Sequence, residues 1–186
     1  MRNWRNLASR AVLDHPVLRV DAQLRRRDDG LEREFLVLSA PDWVNIIPVT
    51  NQGRVVLIRQ WRHGIAHSAL EIPGGMVDPG ETPAQAAARE LLEETGHQAG
   101  SLADLGWVHP NPALFGNRCH TFLAQNCQRV QEQRTEDDEE IEVLEVAAGE
   151  LPGLVAGGGI SHSLVVAALC KWWLAAGGCP PAGKRI

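Results

Sequence analysis

The amino-acid sequence predicts an α+β protein in which a central β-sheet is accompanied by helices. Short aliphatic runs separated by turn signals occupy the first third of the chain. A strongly signalled helix follows a glycine-rich stretch at 73–75, and an apolar segment of helical length lies at 161–175. With 186 residues, of which 44% are hydrophobic and 22% charged, the chain has the size and composition of one globular domain.

The first predicted elements are two antiparallel hairpins. Runs at 17–24 and 32–38 flank a segment that ends in an Asp-Gly turn signal. Runs at 43–50 and 54–61 repeat the pattern around Asn-Gln-Gly. The second of these contains a continuous apolar stretch at 55–58, which is typical of a strand buried on both faces. We therefore expect the central sheet here.

The segment 82–95 carries the clearest helix signals. Thr82 can cap the N-terminus, Pro83 suits the first helical position, and Gln85 completes a capping box. Gly96 follows as a stop signal. Helical spacing predicts an apolar side formed by Ala84, Ala87, Ala88, Leu91 and Leu92, and an opposite side that carries Glu90, Glu93 and Glu94.

The remaining pattern predicts further strands and a second helix. We expect strands at 104–108, 119–124 and 141–146. The helix at 161–175 is apolar nearly all the way round and should be largely buried. The acidic segment 131–140 reads as a loop, and 177–186 as a loosely held tail.

The net charge of the chain argues against a nucleic-acid ligand and sets a condition for a polyphosphate ligand. With 18 Lys and Arg against 23 Asp and Glu, the formal charge is -5, so the overall field repels nucleic-acid backbones. A polyphosphate ligand would need a local arginine cluster or a divalent metal. No apolar stretch is long enough to span a membrane, and the first residues lead into no signal-peptide core. We expect a cytoplasmic protein with no membrane or nucleic-acid partner.

The cysteines predict no structural bridge or zinc site. Cys119, Cys127, Cys170 and Cys179 form no C-x-x-C pair, and neither predicted helix carries two histidines at the spacing of a metal pair. We expect the cysteines to be buried free thiols.

Three glutamates within one helical turn suggest a bound cation. Glu90, Glu93 and Glu94 repel one another at these spacings, and a hard divalent ion such as Mg²⁺ or Mn²⁺ would reverse the sign of that interaction. The alternative is a solvated charged helix face, which is the commoner origin of a charge run.

The wider pattern resembles the signature of the Nudix hydrolase family. The fixed positions are Gly75, five residues, Glu81, seven residues, Arg89-Glu90-Leu91, one residue, Glu93-Glu94, one residue, and Gly96. Every fixed position of the family's loop-helix-loop box is present. One departure is His97, where the family has an aliphatic residue, and this puts the packing after the helix in question. The resemblance implies a Nudix fold, a mixed sheet flanked by helices in an α/β/α sandwich.

The resemblance also implies metal ligands. Glu90 and Glu94 would be the principal ligands, Glu93 would bind a further ion, and the backbone carbonyl of Gly74 would complete the shell. The expected cofactor is Mg²⁺, with Mn²⁺ as a possible substitute.

Two further catalytic features follow from the resemblance. Arg89 and Glu81 would form an ion pair that holds the loop against the helix. A general base is expected from the acidic loop, in the order of preference Glu139, Glu140 and Glu136. Any one of these carboxylates is equally well explained as solvated.

Features outside the box are similar to ADP-ribose pyrophosphatases. The segments 59–62 and 71–75 resemble that subfamily's Arg-Gln-Tyr-Arg and Glu-Leu-Pro-Ala-Gly patterns, although Trp and Gly replace Tyr and Ala. Arg59 and Arg62 would neutralise diphosphate oxygens, and Glu71 would hold a sugar hydroxyl. The alternatives are a surface ion pair for the arginines and a loop cap for the glutamate.

Three more residues are candidates for the substrate site. Pro112 lies where the subfamily characteristically carries proline. Trp43 and Phe115 are candidates to stack on a base, with burial in the core as the alternative.

These expectations combine into one interpretation of the chain. Residues 1–40 form a strand-rich dimerisation extension, 41–176 a Nudix hydrolase domain, and 177–186 a tail. The expected reaction is Mg²⁺-dependent hydrolysis of ADP-ribose or a related nucleoside diphosphate sugar by a homodimer. The alternatives are a Nudix pyrophosphatase for nucleoside triphosphates or dinucleotides, and a non-catalytic nucleotide-binding regulator.

Overall fold

The computed structural model describes residues 1–134 and 140–178 of the 186-residue chain. The described chain divides into two compact units. One comprises 1–42 and 109–118, and the other comprises 43–108 and the described residues from 119 onward. None of the described helices is long and apolar enough to cross a membrane.

The first unit is an antiparallel sheet of three strands in the order β1-β2-β3. These are β1 (Trp4–His15), β2 (Leu18–Arg27) and β3 (Glu32–Ser39). The β2–β3 hairpin confirms the sequence prediction. The prediction omitted β1, whose side chains are mostly exposed and therefore follow no buried–exposed alternation. The backbone N–H of Leu38 donates to the carbonyl of Leu114 at 2.8 Å, which ties the 109–118 segment to β3.

The second unit contains a mixed sheet of eight strands. They are β4 (Trp43–Thr50), β5 (Arg54–Arg62), β6 (His67–Glu71), β7 (Gly74–Met76), β8 (His97–Gln98), β9 (Ser101–Val108), β10 (Cys119–Arg129) and β11 (Ile141–Ala147). The main order is β11-β5-β4-β10-β8, with β6 beside β5, β7 beside β4 and β9 beside β10. β4 and β10 run parallel, while the other pairs are antiparallel.

Helices cover both faces of this sheet. They are α1 (Pro83–Thr95), the short α2 (Leu151–Ala156) and α3 (Ser163–Ala175). Adjacent residues of β4 face opposite layers: Ile46 belongs to the core under α1, and Ile47 to the core under α2 and α3. The predicted α+β fold with a mixed sheet between helices is confirmed.

The signals that predicted α1 act as expected. The Thr82 side chain accepts from the backbone N–H of Gln85, and the Gln85 side chain accepts from that of Thr82. Gly96 ends the helix with φ of 70°, a conformation that costs glycine little.

The predicted rotation of α1 is wrong. Ala84 and Ala88 are exposed, whereas the buried residues are Ala86, Ala87, Leu91, Glu94 and Thr95. The helix is turned so that Glu94, with 5% of its surface exposed, faces inward. The three glutamates therefore do not share one solvated face.

The expectation of a largely buried α3 is also wrong. Val165, Ala168, Leu169 and Trp173 are buried, but Leu174 is 77% exposed. Cys170 is exposed on the same helix, so the prediction of buried thiols holds for Cys119 and Cys127 only; Cys179 lies outside the described residues. Burial raises the pKa of the Cys127 thiol to about 11.

The departure at His97 is accommodated by hydrogen bonding. His97 is only 4% exposed, and its Nδ1 lies 2.9 Å from the carbonyl oxygen of Thr95. Since a carbonyl only accepts, Nδ1 is the protonated ring nitrogen. A polar ring therefore fills an aliphatic position without leaving Nδ1 unsatisfied.

Candidate active site

Arg89 joins the loop after β7 to helix α1. Its Nε and Nη2 donate to the two carboxylate oxygens of Glu81 at 2.9 and 3.0 Å, a bidentate arrangement. Nη2 also donates to the carbonyl of Met76 at 3.0 Å. The structure thus brings together the two residues for which an ion pair was expected.

The same guanidinium contacts two of the helix carboxylates. Nη1 donates to Glu90 at 2.9 Å and to Glu93 at 3.1 Å. Hydrogen bonding to Glu81 is the largest cause that raises the pKa of Arg89, and the reciprocal bond lowers the pKa of Glu81. Arg89 therefore offsets much of the repulsion between the carboxylates of α1.

The β6–β7 turn supports the other side of the glutamate cluster. The backbone N–H of Gly74 donates to Oε2 of Glu94 at 2.8 Å. A Cβ placed on Gly75 would clash with Oε1 of Glu90, so any larger residue here would displace this carboxylate. The backbone of Gly74 and Gly75 thus packs against α1 through the carboxylates of Glu94 and Glu90.

The donor set suits a hard divalent cation, although its members do not converge on one point. Carboxylate and backbone carbonyl oxygens are the ligands that Mg²⁺ and Mn²⁺ prefer. Within 1–134 and 140–178, no group of three or more His, Cys, Asp or Glu side chains is arranged to hold a metal ion. Glu94 is 5% exposed and the Glu93 side chain 44%, so the ends of the cluster differ in access to solvent.

The first part of the acidic loop, 131–134, is attached to the C-terminal end of α1. The Gln133 side chain donates to the carbonyls of Glu94 at 2.7 Å and Ile141 at 3.1 Å. The backbone N–H of Arg134 donates to the carbonyl of Glu93 at 2.8 Å. Both ends of the loop therefore lie close to the glutamates of α1.

Of the three expected general bases, only Glu140 lies within the described residues. It is exposed and lies immediately before β11. Glu136 and Glu139 lie outside the described residues, so the order of preference among the three stays a prediction.

The expected substrate arginines are both engaged in ion pairs. Arg62 donates through Nε and Nη2 to the two oxygens of Glu71 at 2.9 and 2.8 Å, and Glu71 is 2% exposed. Arg59 donates to Glu142 of β11 at 2.6 Å, between side chains that are each about half exposed. Arg59 therefore matches the surface ion pair that was its alternative role.

The expected aromatic and proline positions fall in different compact units. Trp43, at the start of β4 in the second unit, is partly buried. Pro112 is exposed and Phe115 partly buried, and both belong to the first unit. Phe115 bridges to Leu38 there.

Two polar residues that contact the predicted site residues were not predicted from the sequence. Gln133 supplies the side chain that joins α1 to β11, and His162 places Nδ1 3.5 Å from Oε2 of Glu71. Gln133 lies in the acidic loop 131–140, and this position was a weak signal of its role. His162 stands alone between a glycine-rich turn and an apolar helix, and no local pattern marks it.

Comparison with known proteins gives consistent results. A family model described as NUDIX domain matches residues 41–163. An ADP-ribose pyrophosphatase of Bacillus subtilis (strain 168) is 32% identical over 120 residues, which are 64% of this chain and 65% of that protein. The ADP compounds hydrolase NudE of Escherichia coli (strain K12) is 34% identical over 83 residues, which cover 45% of this chain and 44% of the relative.

A solved structure shares the fold along nearly the whole chain. The crystal structure of an ADP compounds hydrolase superposes with a TM-score of 0.83 and covers 94% of this chain and 96% of its own, at 23% sequence identity. In sequence, the chain spans just under two thirds of the length of the first curated relatives it matches. The structural likeness establishes the fold.

Proposed function

We infer the activity of this protein from one premise: the chain belongs to the NUDIX domain family. We propose that it hydrolyses the diphosphate bond of ADP-ribose or a related nucleoside diphosphate sugar, giving a nucleoside monophosphate and a sugar phosphate. Names of relatives support this substrate class, since they include an ADP-ribose pyrophosphatase and an ADP compounds hydrolase.

One observation carries the proposal: the carboxylates of Glu90 and Glu94 lie against the backbone of Gly74 and Gly75. Carboxylates one helical turn apart, beside a glycine backbone, form a donor set suited to a divalent ion. The proposed ligands are Glu90, Glu94, Glu93 and the carbonyl of Gly74. When bound there, Mg²⁺ or Mn²⁺ would polarise the diphosphate and activate the attacking water.

The residues around this cluster have separate tasks in the proposed reaction. Arg89 and Glu81 hold the loop against α1 and fix the carboxylates in place. Arg62 presents a cation to the diphosphate while its Nε and Nη2 are anchored to Glu71. A carboxylate of the acidic loop, Glu139, Glu140 or Glu136, removes a proton from the attacking water.

A substrate panel tests the proposed reaction directly. The purified protein would be incubated with Mg²⁺ and ADP-ribose, GDP-mannose, UDP-glucose, ADP-glucose or nucleoside triphosphates, with products resolved by chromatography. We expect a nucleoside monophosphate and a sugar phosphate from the sugar diphosphates. Release of pyrophosphate from triphosphates alone would favour the triphosphate pyrophosphatase, and binding without turnover the regulator.

A pair of variants ties the activity to the cluster. Glu94→Gln removes the charge of the most buried helix carboxylate, and we expect turnover to fall by at least about a hundredfold. Glu132→Gln is the matched control, because the Glu132 side chain is 88% exposed and pairs with Arg129 at the surface. Unchanged turnover and metal dependence in Glu94→Gln would refute the site.

We also propose that the protein is a homodimer held by the first unit, residues 1–42 and 109–118. The sheet of that unit and its β1–β2 turn expose several large apolar side chains, namely Leu7, Val12, Leu13, Val17, Phe35 and Leu36. Such a concentration is unusual for a surface in contact with water and is typical of an association surface.

A further inference from the structure

We propose that His162 is a positioning residue that fixes Glu71 and, through Glu71, the guanidinium of Arg62. Glu71 is 2% exposed, and a carboxylate so deeply buried is costly unless donors surround it. Arg62 supplies one donor to each oxygen. A carboxylate can accept about four hydrogen bonds, so each oxygen retains capacity beyond the bond from Arg62.

The imidazole of His162 is placed to use that capacity. Its Nδ1 lies 3.5 Å from Oε2 of Glu71, slightly beyond hydrogen-bonding distance. Nδ1 is buried and makes no hydrogen bond within the described part of the chain. A shift of the ring by about half an ångström would satisfy both the nitrogen and the carboxylate.

The direction of this contact determines the tautomer. A carboxylate oxygen only accepts, so a bare lone pair on Nδ1 would face it repulsively. Nδ1 must therefore carry a proton and donate to Oε2. The His162 side chain is 40% exposed while Nδ1 is buried, so the exposed part of the ring lies on the side of Cε1, Nε2 and Cδ2.

The anchoring matters because Arg62 is itself accessible. Its side chain is 41% exposed, so the contact with buried Glu71 helps to set the direction in which its guanidinium points. Glu71 precedes Gly74 by three residues, and Gly74 donates to Glu94 of the candidate metal cluster. Since three residues span at most about 11 Å, the Arg62–Glu71–His162 group stands within reach of an extended ligand at that cluster. We assign His162 to the orientation of the diphosphate-binding arginine, which rests on the function proposed above.

Three replacements of His162 distinguish the effect of its Nδ1–H donor from the effect of the size of its ring. His162→Asn keeps an N–H at the position of Nδ1, His162→Gln moves it to the position of Nε2, and His162→Leu removes it. We expect His162→Leu and His162→Gln to raise the KM for ADP-ribose about fivefold with kcat nearly unchanged, and His162→Asn to restore it. A fall in kcat with constant KM would indicate a merely structural role and overturn the assignment. His67→Asn, at an exposed histidine of β6, is the control and should change neither constant.

A double-mutant cycle asks whether His162 acts through Glu71. If it does, adding His162→Leu to Glu71→Gln should change KM by less than about twofold beyond the single Glu71→Gln variant. Additive effects of the two changes would contradict the proposal.

The tautomer of His162 can also be measured by NMR on the wild-type protein. This measurement needs no substrate and does not depend on whether a variant folds. Long-range ¹H–¹⁵N correlation spectra of the histidine rings should find His162 with a proton on Nδ1. A His162 ring protonated only on Nε2 would refute the contact. If the substrate panel detects no hydrolysis, the proposed function fails while this spectrum still decides the role of the ring.

Discussion

Arg89 supplies the positive charge that lets Glu81, Glu90 and Glu93 lie close together. Its guanidinium bonds all three carboxylates. Because the bonds to Glu81 lower the pKa of that carboxylate, folding and ionisation are coupled. The free energy of unfolding should therefore depend on pH through Glu81.

Replacing Glu81 by Gln should lower the free energy of unfolding by about 1 kcal/mol at pH 7. The folded pKa of Glu81 is below its ordinary value of 4.5, so the stabilisation is present above that value and is lost as the pH falls through the folded pKa. Urea unfolding at several pH values measures this: the difference between the two proteins should shrink towards pH 3. A difference that stays constant, or grows on acidification, would contradict the assignment.

Replacing Gly75 by Ala should disrupt the cluster from the loop side. The new Cβ would lie 2.2 Å from Oε1 and 2.4 Å from Cδ of Glu90, so the carboxylate must move. We expect Mg²⁺-dependent turnover to drop at least about tenfold, with a small change in melting temperature. Gly149→Ala is the control, because a Cβ there meets no described atom within 4 Å. Full activity in Gly75→Ala would show that this close approach is unimportant.

Residue pairing outside the helix could not be read from the sequence. Arg62 and Glu71 were expected to contact the ligand separately, yet nine positions apart they form a bidentate pair across β5 and β6. In the register of these strands Arg62 lies opposite His67 and Glu71 opposite Ile58, so the arginine side chain reaches along the sheet to form the pair, and no sequence spacing indicates this. By contrast, Arg89 and Glu81 were predictable because the family spacing fixes both.

At the element scale, α1 depends on its N-terminal cap. We expect Thr82→Ala to cost about 1 kcal/mol and to lower the melting temperature by about 2 to 4 °C, since it removes the side-chain acceptor of the capping box. Thr82→Ser keeps the hydroxyl and should retain most of the stability. Differential scanning calorimetry compares them, and equal melting temperatures for Ala and Ser variants would exclude a role for the cap.

Helix and strand ends with chemical signals were predictable, whereas helix rotation and short strands were not. Thr82, Gln85 and Gly96 mark α1 correctly because capping is a local interaction. The rotation that buries Glu94 accompanies the packing of Ala87 and Leu91 against the sheet and a bond to Gly74, which is 20 residues away in sequence, and these contacts are not local. β7 contains Gly74, Gly75 and Met76 only, and it forms because the backbone pairs with β4 rather than because of any side-chain pattern.

At the scale of the whole molecule, the exposed apolar side chains of the first unit predict self-association. Val12 and Leu36 are 53% and 52% exposed on β1 and β3. The protein should sediment as a dimer at micromolar concentration, and the double variant Val12→Asp/Leu36→Asp as a monomer. Val130→Asp changes a side chain of equal exposure, 54%, in the second unit and should leave the dimer intact. A wild-type monomer at that concentration would remove the basis for the proposal.

The parallel pairing of β4 with β10 also bears on how fast the protein folds. Trp43 pairs with Cys119, so the chain from 51 to 118 must be looped out before these two central strands can join. Such distant contacts slow folding to roughly milliseconds or longer. Gly74, Gly75 and the glutamates of α1 all lie inside that loop. Their mutual contacts are local, but Gln133, which joins the segment before Glu136 to α1, follows β10. This part of the site should therefore assemble only after β10 has joined the sheet, so recovery of activity should trail the earliest formation of helical structure.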